Sequence, residues 1–368
     1  MRSTIRTTLL RTAAVALSLL GLTLPTEHAT AEPYLAVESG LKCMNCHVNP
    51  TGGGKRNMFG TLYARGQIAA RVVGAESGRM PWIGDVNTRW LGVGADLRGG
   101  YQSVDVPGAQ EQSSTEMTRS TLYAEVRLLP NLLSLYVDEK VAPDDVENRE
   151  AYLLFKPKQG KYTAKVGQLF TPFGLRIEDD NAFVRQSSGL NFNTPDEGIE
   201  LGLELPKWSA QVAVTEPIDT DSTDRLSLSA VHVIQRWRVG ASYNIVDDPL
   251  GDRDMLGVFA GWKTGPISWL AELDLITDDT STGDQDIYAS LIEGNWRLRK
   301  GHNLKLTYEY LEPDRDRSED QQERYSLVWE YSPMQFIQAR VGMRAYNGIP
   351  NFPTSNRDEV FAELHAYF

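Results

Sequence analysis

From Asn87 onward, apolar and polar residues alternate with a period of two. Leu122, Ala124, Val126 and Leu128 alternate with Thr121, Tyr123, Glu125 and Arg127. Val239, Ala241, Tyr243 and Ile245 alternate with Arg238, Gly240, Ser242 and Asn244. The same pattern runs through Ile267–Leu275 and Leu304–Tyr310. Such alternation predicts strands with one apolar and one polar face. In a soluble sandwich the apolar face points inward. Here the charged positions are too many and the strands too long for that solution. In a membrane barrel the apolar face meets lipid and the charged face lines a wet lumen.

The connections alternate as well. Pro130-Asn131, Lys156–Gly160, Pro206-Lys207, Gln235-Arg236, Lys263–Pro266, Arg299–His302 and Ser332–Met334 are tight, and several are basic. Thr215–Thr223, Asp247–Asp254, Thr277–Asp286 and Glu312–Gln322 are long, acidic and rich in turn formers. Bacterial barrels pair short periplasmic turns with longer outer loops. The fold class predicted for residues 87–368 is therefore all-β, an antiparallel transmembrane β-barrel of about 16 strands with both chain ends in the periplasm. The chain ends on Val360–Phe368, apolar at every second position with a C-terminal Phe, which resembles the assembly signal of outer-membrane barrels.

Composition agrees with this picture. A formal charge of −12 argues against nucleic-acid binding. A mean hydropathy of −0.36 is too polar for a helical membrane protein. Yet there are 8 Trp, 15 Tyr and 31 Gly, as a barrel with aromatic girdles requires. Residues 1–31 read as a secretory signal peptide: Arg2, Arg6 and Arg11, then an apolar run from Thr12 to Leu24, then Ala29-Thr30-Ala31. Cleavage there removes three Arg and one Glu and leaves the chain more acidic still.

Between the leader and the barrel lies a segment of different character, residues 32–86. It holds the only two cysteines, in Cys43-Met44-Asn45-Cys46-His47. This C-x-x-C-H spacing is that of covalent c-type haem attachment. Two thiols on one turn reach the two vinyl groups of one haem, and the next histidine is held beneath the iron. A zinc site would need four ligands, and no further Cys or nearby His supplies them. A thiol–disulfide pair would want a βαβ context, which is absent. The expected cofactor is one haem c, held by Cys43 and Cys46 with His47 as axial ligand. Met58 is the nearest candidate for the sixth position, ahead of Met80; Met44 lies inside the motif, His365 falls on the lumen face of the last strand, and an open sixth position is the alternative. After Pro50-Thr51-Gly52-Gly53-Gly54, read as a flexible turn, Lys55–Val73 reads weakly as a helix. The segment is too short to bury a core alone, so it needs apolar contact from something larger.

Phe170–Glu197 is too long for an ordinary connection. Its start, Gly167-Gln168-Leu169-Phe170-Thr171-Pro172-Phe173-Gly174, resembles a stretch of the phosphate-selective porin O/P family. That resemblance implies a third outer loop folded into the pore; an outward surface loop is the alternative.

A C-x-x-C-H segment joined to a porin-like barrel resembles the fused monohaem cytochrome–porin family of outer-membrane proteins, which includes iron oxidases. The residues that carry it are Ala31-Glu32-Pro33, Ser39-Gly40, Cys43, Cys46, His47, Pro50 and Phe59-Gly60. Three features depart from the family pattern. Gly52–Gly54 replace a Leu-Thr-Pro-like stretch, Pro50 stands one residue closer to His47, and the basic tail after Phe-Gly is reduced to Arg65. The resemblance implies an electron conduit in the Gram-negative outer membrane, with Fe(II) as a candidate external donor and a periplasmic electron carrier such as a soluble cytochrome as partner. A diffusion porin with a haem-bearing periplasmic segment is the alternative. Outer-membrane lipid is a partner in both, and an oligomer is compatible with either.

Overall fold

A strand whose two faces differ in polarity must find lipid or a core for one and water or charge partners for the other. The computed structural model describes residues 32–73, 86–143, 145–177, 179–190, 194–218, 224–247, 251–280, 283–350 and 352–368. The signal peptide and Met80 lie outside the described residues. A two-residue strand β1 (Val86–Asn87) leads into β2 (Leu91–Asp105), β3 (Gln112–Leu129), β4 (Leu133–Ala142) and β5 (Glu147–Phe155). There follow β6 (Tyr162–Leu169), β7 (Asp196–Glu204), β8 (Trp208–Pro217), β9 (Asp224–Ile234), β10 (Trp237–Asp247) and β11 (Arg253–Thr264). The last are β12 (Ile267–Thr280), β13 (Gly283–Arg299), β14 (His302–Glu312), β15 (Gln322–Met334), β16 (Ile337–Asn347) and β17 (Asp358–Tyr367).

Each strand from β2 to β17 pairs antiparallel with its successor, and β17 returns to β2 with Ala362 opposite Tyr101. Sixteen strands thus close a barrel, and no edge is left. Its faces are inverted relative to a soluble protein. Leu122, Val126, Val239, Tyr243 and Leu275 face outward and are exposed, while Arg238, Ser242, Asn244, Glu272 and Asp274 face inward and are buried. The aromatic residues form two belts. Trp208, Trp237, Trp262, Trp269, Trp296 and Trp329 lie within a few residues of the tight turns; Trp237, Trp262 and Trp269 stack at 6.1 and 5.9 Å. Tyr101, Tyr288, Tyr310 and Tyr325 stand toward the long-loop end. Paired girdles of this kind mark the two membrane interfaces.

The tight links form as expected except the last, where Ser332–Met334 stays within β15 and the turn falls at Gln335-Phe336; Asn131, Gln235 and Phe336 take φ 66, 52 and 79. One expected loop differs. Thr277–Asp286 is largely ladder, since β12 and β13 remain paired out to Thr280 opposite Gly283. Its Asp and Thr residues resemble loop composition, but the pairing continues above the membrane as a two-stranded ribbon.

Residues 32–73 enter the lumen at the tight-turn end. They form no separate globular domain. Their elements are α1 (Pro33–Ser39), α2 (Cys43–Cys46), α3 (Met58–Tyr63) and a π-helical turn (Ala64–Ile68), so the weakly predicted helix over 55–73 is real only in its centre. Tyr34 and Val37 of α1 are buried with Phe259, Leu270, Ala289 and Leu291 of the wall. Each such side chain contributes ~1.5–3 kcal/mol of burial. Wall charges bind the segment's polar groups. Lys42 Nζ lies 2.5 Å from Glu204, Arg297 2.5 Å from Glu38, and Asn49 Nδ2 donates to Glu150 at 3.0 Å. Backbone bonds from Ala70 to Ser332 and from Arg71 to Pro333 fasten its far end.

The β6–β7 connection folds inward. Phe170, Phe173, Leu175, Ile177, Phe183, Val184 and Leu190 are all buried, and Phe183–Ser188 forms a short helix, α4. Asp179 of this loop is clamped by Arg324 at 3.0 Å and Arg344 at 3.1 Å, and Arg185 meets Glu272 at 2.8 Å. The arginines and Glu272 are buried and Asp179 is partly so, and breaking such a pair leaves a costly charge behind. Arg324→Leu removes the cation between Glu309 and Asp179. It is expected to lower barrel stability by ~3–5 kcal/mol in urea titrations in lipid vesicles; a loss under ~1 kcal/mol would contradict the pairing.

Candidate functional site

The C-x-x-C-H residues are built onto one turn. Cys43–Cys46 make a single helical turn started at Lys42, whose backbone N–H donates to Asn45 Oδ1 at 2.9 Å. His47 ends the turn in extended conformation, its N–H bonded to the Cys43 carbonyl at 3.1 Å. The chain then doubles back. Val48 N–H donates to Lys55 O at 3.0 Å and Asn57 N–H to Cys46 O at 2.9 Å, so that His47 faces Arg56 across an antiparallel bridge. Gly52, Gly53 and Gly54 form the tip, at φ 93, 73 and 58.

This tip is an ordered structure, unlike the flexible turn its composition suggests. A Cβ on Gly54 would stand 2.2 Å from Tyr136 Oη, and one on Gly53 2.9 Å from the Arg176 guanidinium carbon. A Cβ on Gly52 would stand 3.1 Å from that of Cys43. The hydroxyl of Tyr136 accepts from the Lys55 N–H at 2.9 Å, and Arg176 donates to the Gly52 carbonyl. Glycine is required here both by left-handed φ and by the approach of the wall and the inward loop.

Cys43, Cys46 and His47 all line one cavity, part of it open to solvent. The hairpin and α1 bound it below, Phe170–Arg176 of the inward loop above, and Val231, Val233 and Phe259 on the wall side. Arg56, Arg176, Arg185 and Arg238 also border it. The two cysteines are unpaired with each other and half-buried. Burial pushes the Cys46 thiol above its ordinary range. His47 is held at about 3, first by burial and then by the nearby Arg56 and Arg176 guanidiniums. Its ring is therefore neutral at physiological pH, the form that ligates a metal. Its Nδ1 is buried without a hydrogen-bond partner.

The donor set and the space fit a covalently held haem: two thiols one turn apart, a neutral imidazole next to them, and apolar walls with positive charge among them. Among the described residues there is no cluster of three or more His, Cys, Asp or Glu arranged to hold a bare metal ion. Met58 does not join the site. It starts α3 and is 41% exposed, away from the cavity lining. Asn57 sets this orientation: its side chain accepts from Gly60 N–H at 3.0 Å and donates to the carbonyls of Met44, Asn45 and His47. Gly60, Tyr63 and Ala64 reach the cavity instead. His365 is buried on the lumen face between Asp96 at 3.2 Å and Gln338 at 3.1 Å, outside this cavity. The cavity-lining arginines were not foreseen, since nothing in their own sequence neighbourhoods sets them apart from other lumen charges.

No family model and no curated protein matches this sequence. Solved structures do match the fold. OmpT, an outer membrane protein of Vibrio cholerae, in a form lacking loop L8, is 12% identical with a TM-score of 0.60, over 76% of this chain and 99% of that one. An anion-selective porin from Comamonas acidovorans is 9% identical with a TM-score of 0.59, over 76% and 99%. OprB of Pseudomonas putida is 10% identical with a TM-score of 0.59, over 76% and 94%. At these identities the fold is what is shared: a sixteen-stranded barrel of the outer-membrane porin type.

The hairpin tip is open to test. Gly54→Ala forces a side chain against Tyr136 in a left-handed conformation, at a cost of ~1–3 kcal/mol. The segment is expected to loosen from the lumen, seen as raised single-channel conductance in planar bilayers. Unchanged conductance would mean that the tip is not seated as described.

Proposed function

We propose that this chain resides in the outer membrane, carries one haem c inside its porin-type barrel, and passes electrons between an external donor, Fe(II) being one candidate, and a periplasmic carrier. The observation that carries the proposal is the meeting of Cys43, Cys46 and His47 at one cavity within the lumen. Bound there, haem c supplies a one-electron couple.

The chain's own residues have distinct tasks. Cys43 and Cys46 would hold the haem through their sulfurs, and His47 would offer a neutral imidazole nitrogen to its iron. Arg56, Arg176 and Arg238 would offer positive charge to the haem's carboxylates, whose cost of burial would otherwise be large, while Arg185 is already paired with Glu272. Phe170, Phe173, Leu175 and Phe259 line the same cavity and would keep water from a haem held there. Met58 has no part as sixth ligand in this scheme, because its sulfur does not reach the cavity lining. At the loop end, exposed Asp105, Glu111, Asp224, Asp252, Asp284 and Glu319 make a field that draws cations.

A second function, diffusion through a pore that also bears a haem segment, is favoured by the likeness to porins such as the anion-selective one above. The comparisons speak for the barrel and hence for this second function. The occupied lumen speaks for the first.

Two measurements separate them. Intact mass of the exported protein is expected to show one added haem, lost in Cys43→Ala/Cys46→Ala. In proteoliposomes, Fe(II) added outside is expected to be oxidised to Fe(III) as it reduces the ferric haem, read from the haem spectrum, while ion conductance stays near the lipid baseline. An unmodified mass overturns the haem assignment. Porin-scale conductance, with haem that impermeant donors never reduce, gives the case to diffusion.

A further inference from the structure

The tight-turn mouth of the barrel carries an apolar patch that the lumen does not absorb. On α3, Met58, Phe59 and Leu62 are 41, 49 and 45% exposed, and Val73 beyond it is 55% exposed. These residues are not in the barrel wall, so lipid does not account for their exposure. They belong to the segment fastened across the mouth by bonds from Arg297 to Gln67 O and from Ala70 to Ser332 O. The patch also lies close to the site. Gly60, within α3, packs on the backbone of Cys46, where a Cβ would stand 2.1 Å from the Cys46 carbonyl oxygen.

Among the described residues, the exposed charged side chains around this mouth have one sign. The turns that form it expose Lys158, Lys161, Lys207, Arg236, Arg299 and Lys300. Among the described residues no exposed Asp or Glu stands at this end; the exposed carboxylates gather at the long-loop end. In a chain with a net charge of −12 this is a strong segregation. An apolar centre within a ring of one charge is the pattern of a protein-docking surface: the centre supplies short-range burial, and the ring steers approach.

We propose that α3 and the basic turns around it form the docking surface for a soluble acidic electron carrier on the periplasmic side. The proposal rests on the haem reading above. The partner's chemistry follows from the mouth: an apolar contact patch bordered by carboxylates. Its distance from Cys46 is one helix.

The test uses full-length protein in lipid nanodiscs, with a small acidic monohaem cytochrome as probe and a basic one as control. Binding is read by biolayer interferometry, and haem content by intact mass on the same sample. The acidic probe is expected to bind at least ~tenfold more tightly than the basic one, and to weaken as salt rises. Phe59→Ser/Leu62→Ser is expected to weaken it ~tenfold or more. Arg299→Glu/Lys300→Glu is expected to slow association, with barrel folding checked by heat-modifiable gel migration. Haem-loaded protein that does not prefer the acidic probe, or folded variants that bind it unchanged, overturn the docking surface and leave the haem assignment standing. Protein that lacks haem yet binds the acidic probe with these dependences overturns the haem assignment and upholds the surface.

Discussion

In a hydrocarbon layer every backbone N–H and C=O must find its partner within the protein, and a closed ladder of strands is one of the two ways to do so. The pairing of β17 with β2 completes that closure here. Once the ladder is closed, period-two sequences leave no choice: apolar residues face lipid, and charged residues face the lumen. The lumen charges must then meet each other. Lys165 lies 2.7 Å from Glu200 and Arg340 3.0 Å from Glu363, both pairs almost fully buried. The polar interior is thus a consequence of the membrane-facing exterior.

That interior is also what receives residues 32–73. A segment of this length cannot hold a fold by itself, and its helices are four to seven residues long. It gains order from the wall. Tyr34 and Val37 find apolar partners where the inward loop brings Leu175, Ile177 and Val184 beside Phe259 and Leu270. Val48 packs with Tyr123, Tyr136 and Tyr152 on the opposite side. The inward loop is in turn held by Arg324 and Arg344 through Asp179. Segment, loop and wall support one another, and the cavity at Cys43, Cys46 and His47 is the space they leave between them.

Much of this was legible in the chain. Alternation such as Val239–Asn244 reports a strand and its two faces without tertiary information, and the tight basic turns report which ends are paired. The length of Phe170–Glu197 marked it as an unusual loop, and its place inside was implied only by the resemblance of its start to a porin stretch. What was not legible depended on contacts far apart in sequence. Gly52–Gly54 read as flexible because glycine permits many conformations, whereas Tyr136 and Arg176 select one. Met58 stood near the motif in sequence, but the Asn57 cap turns it to the surface. Thr277–Asp286 has the residues of a loop, and only its cross-strand register shows a ladder. Arg176 and Arg238 come to the same cavity from a loop and a strand that sequence alone had no reason to join.

The central claim is that the Cys43–His47 turn sits within the barrel, between the basic mouth and the inward loop, with a haem bonded to both sulfurs. An electron cryomicroscopy map of the protein in lipid nanodiscs tests it directly. The arrangement described here predicts density for residues 42–57 inside the lumen beside Phe170–Arg176, with planar density continuous from both cysteine sulfurs. A clear lumen with the segment hanging outside it, or sulfurs that end without attached density, would contradict it.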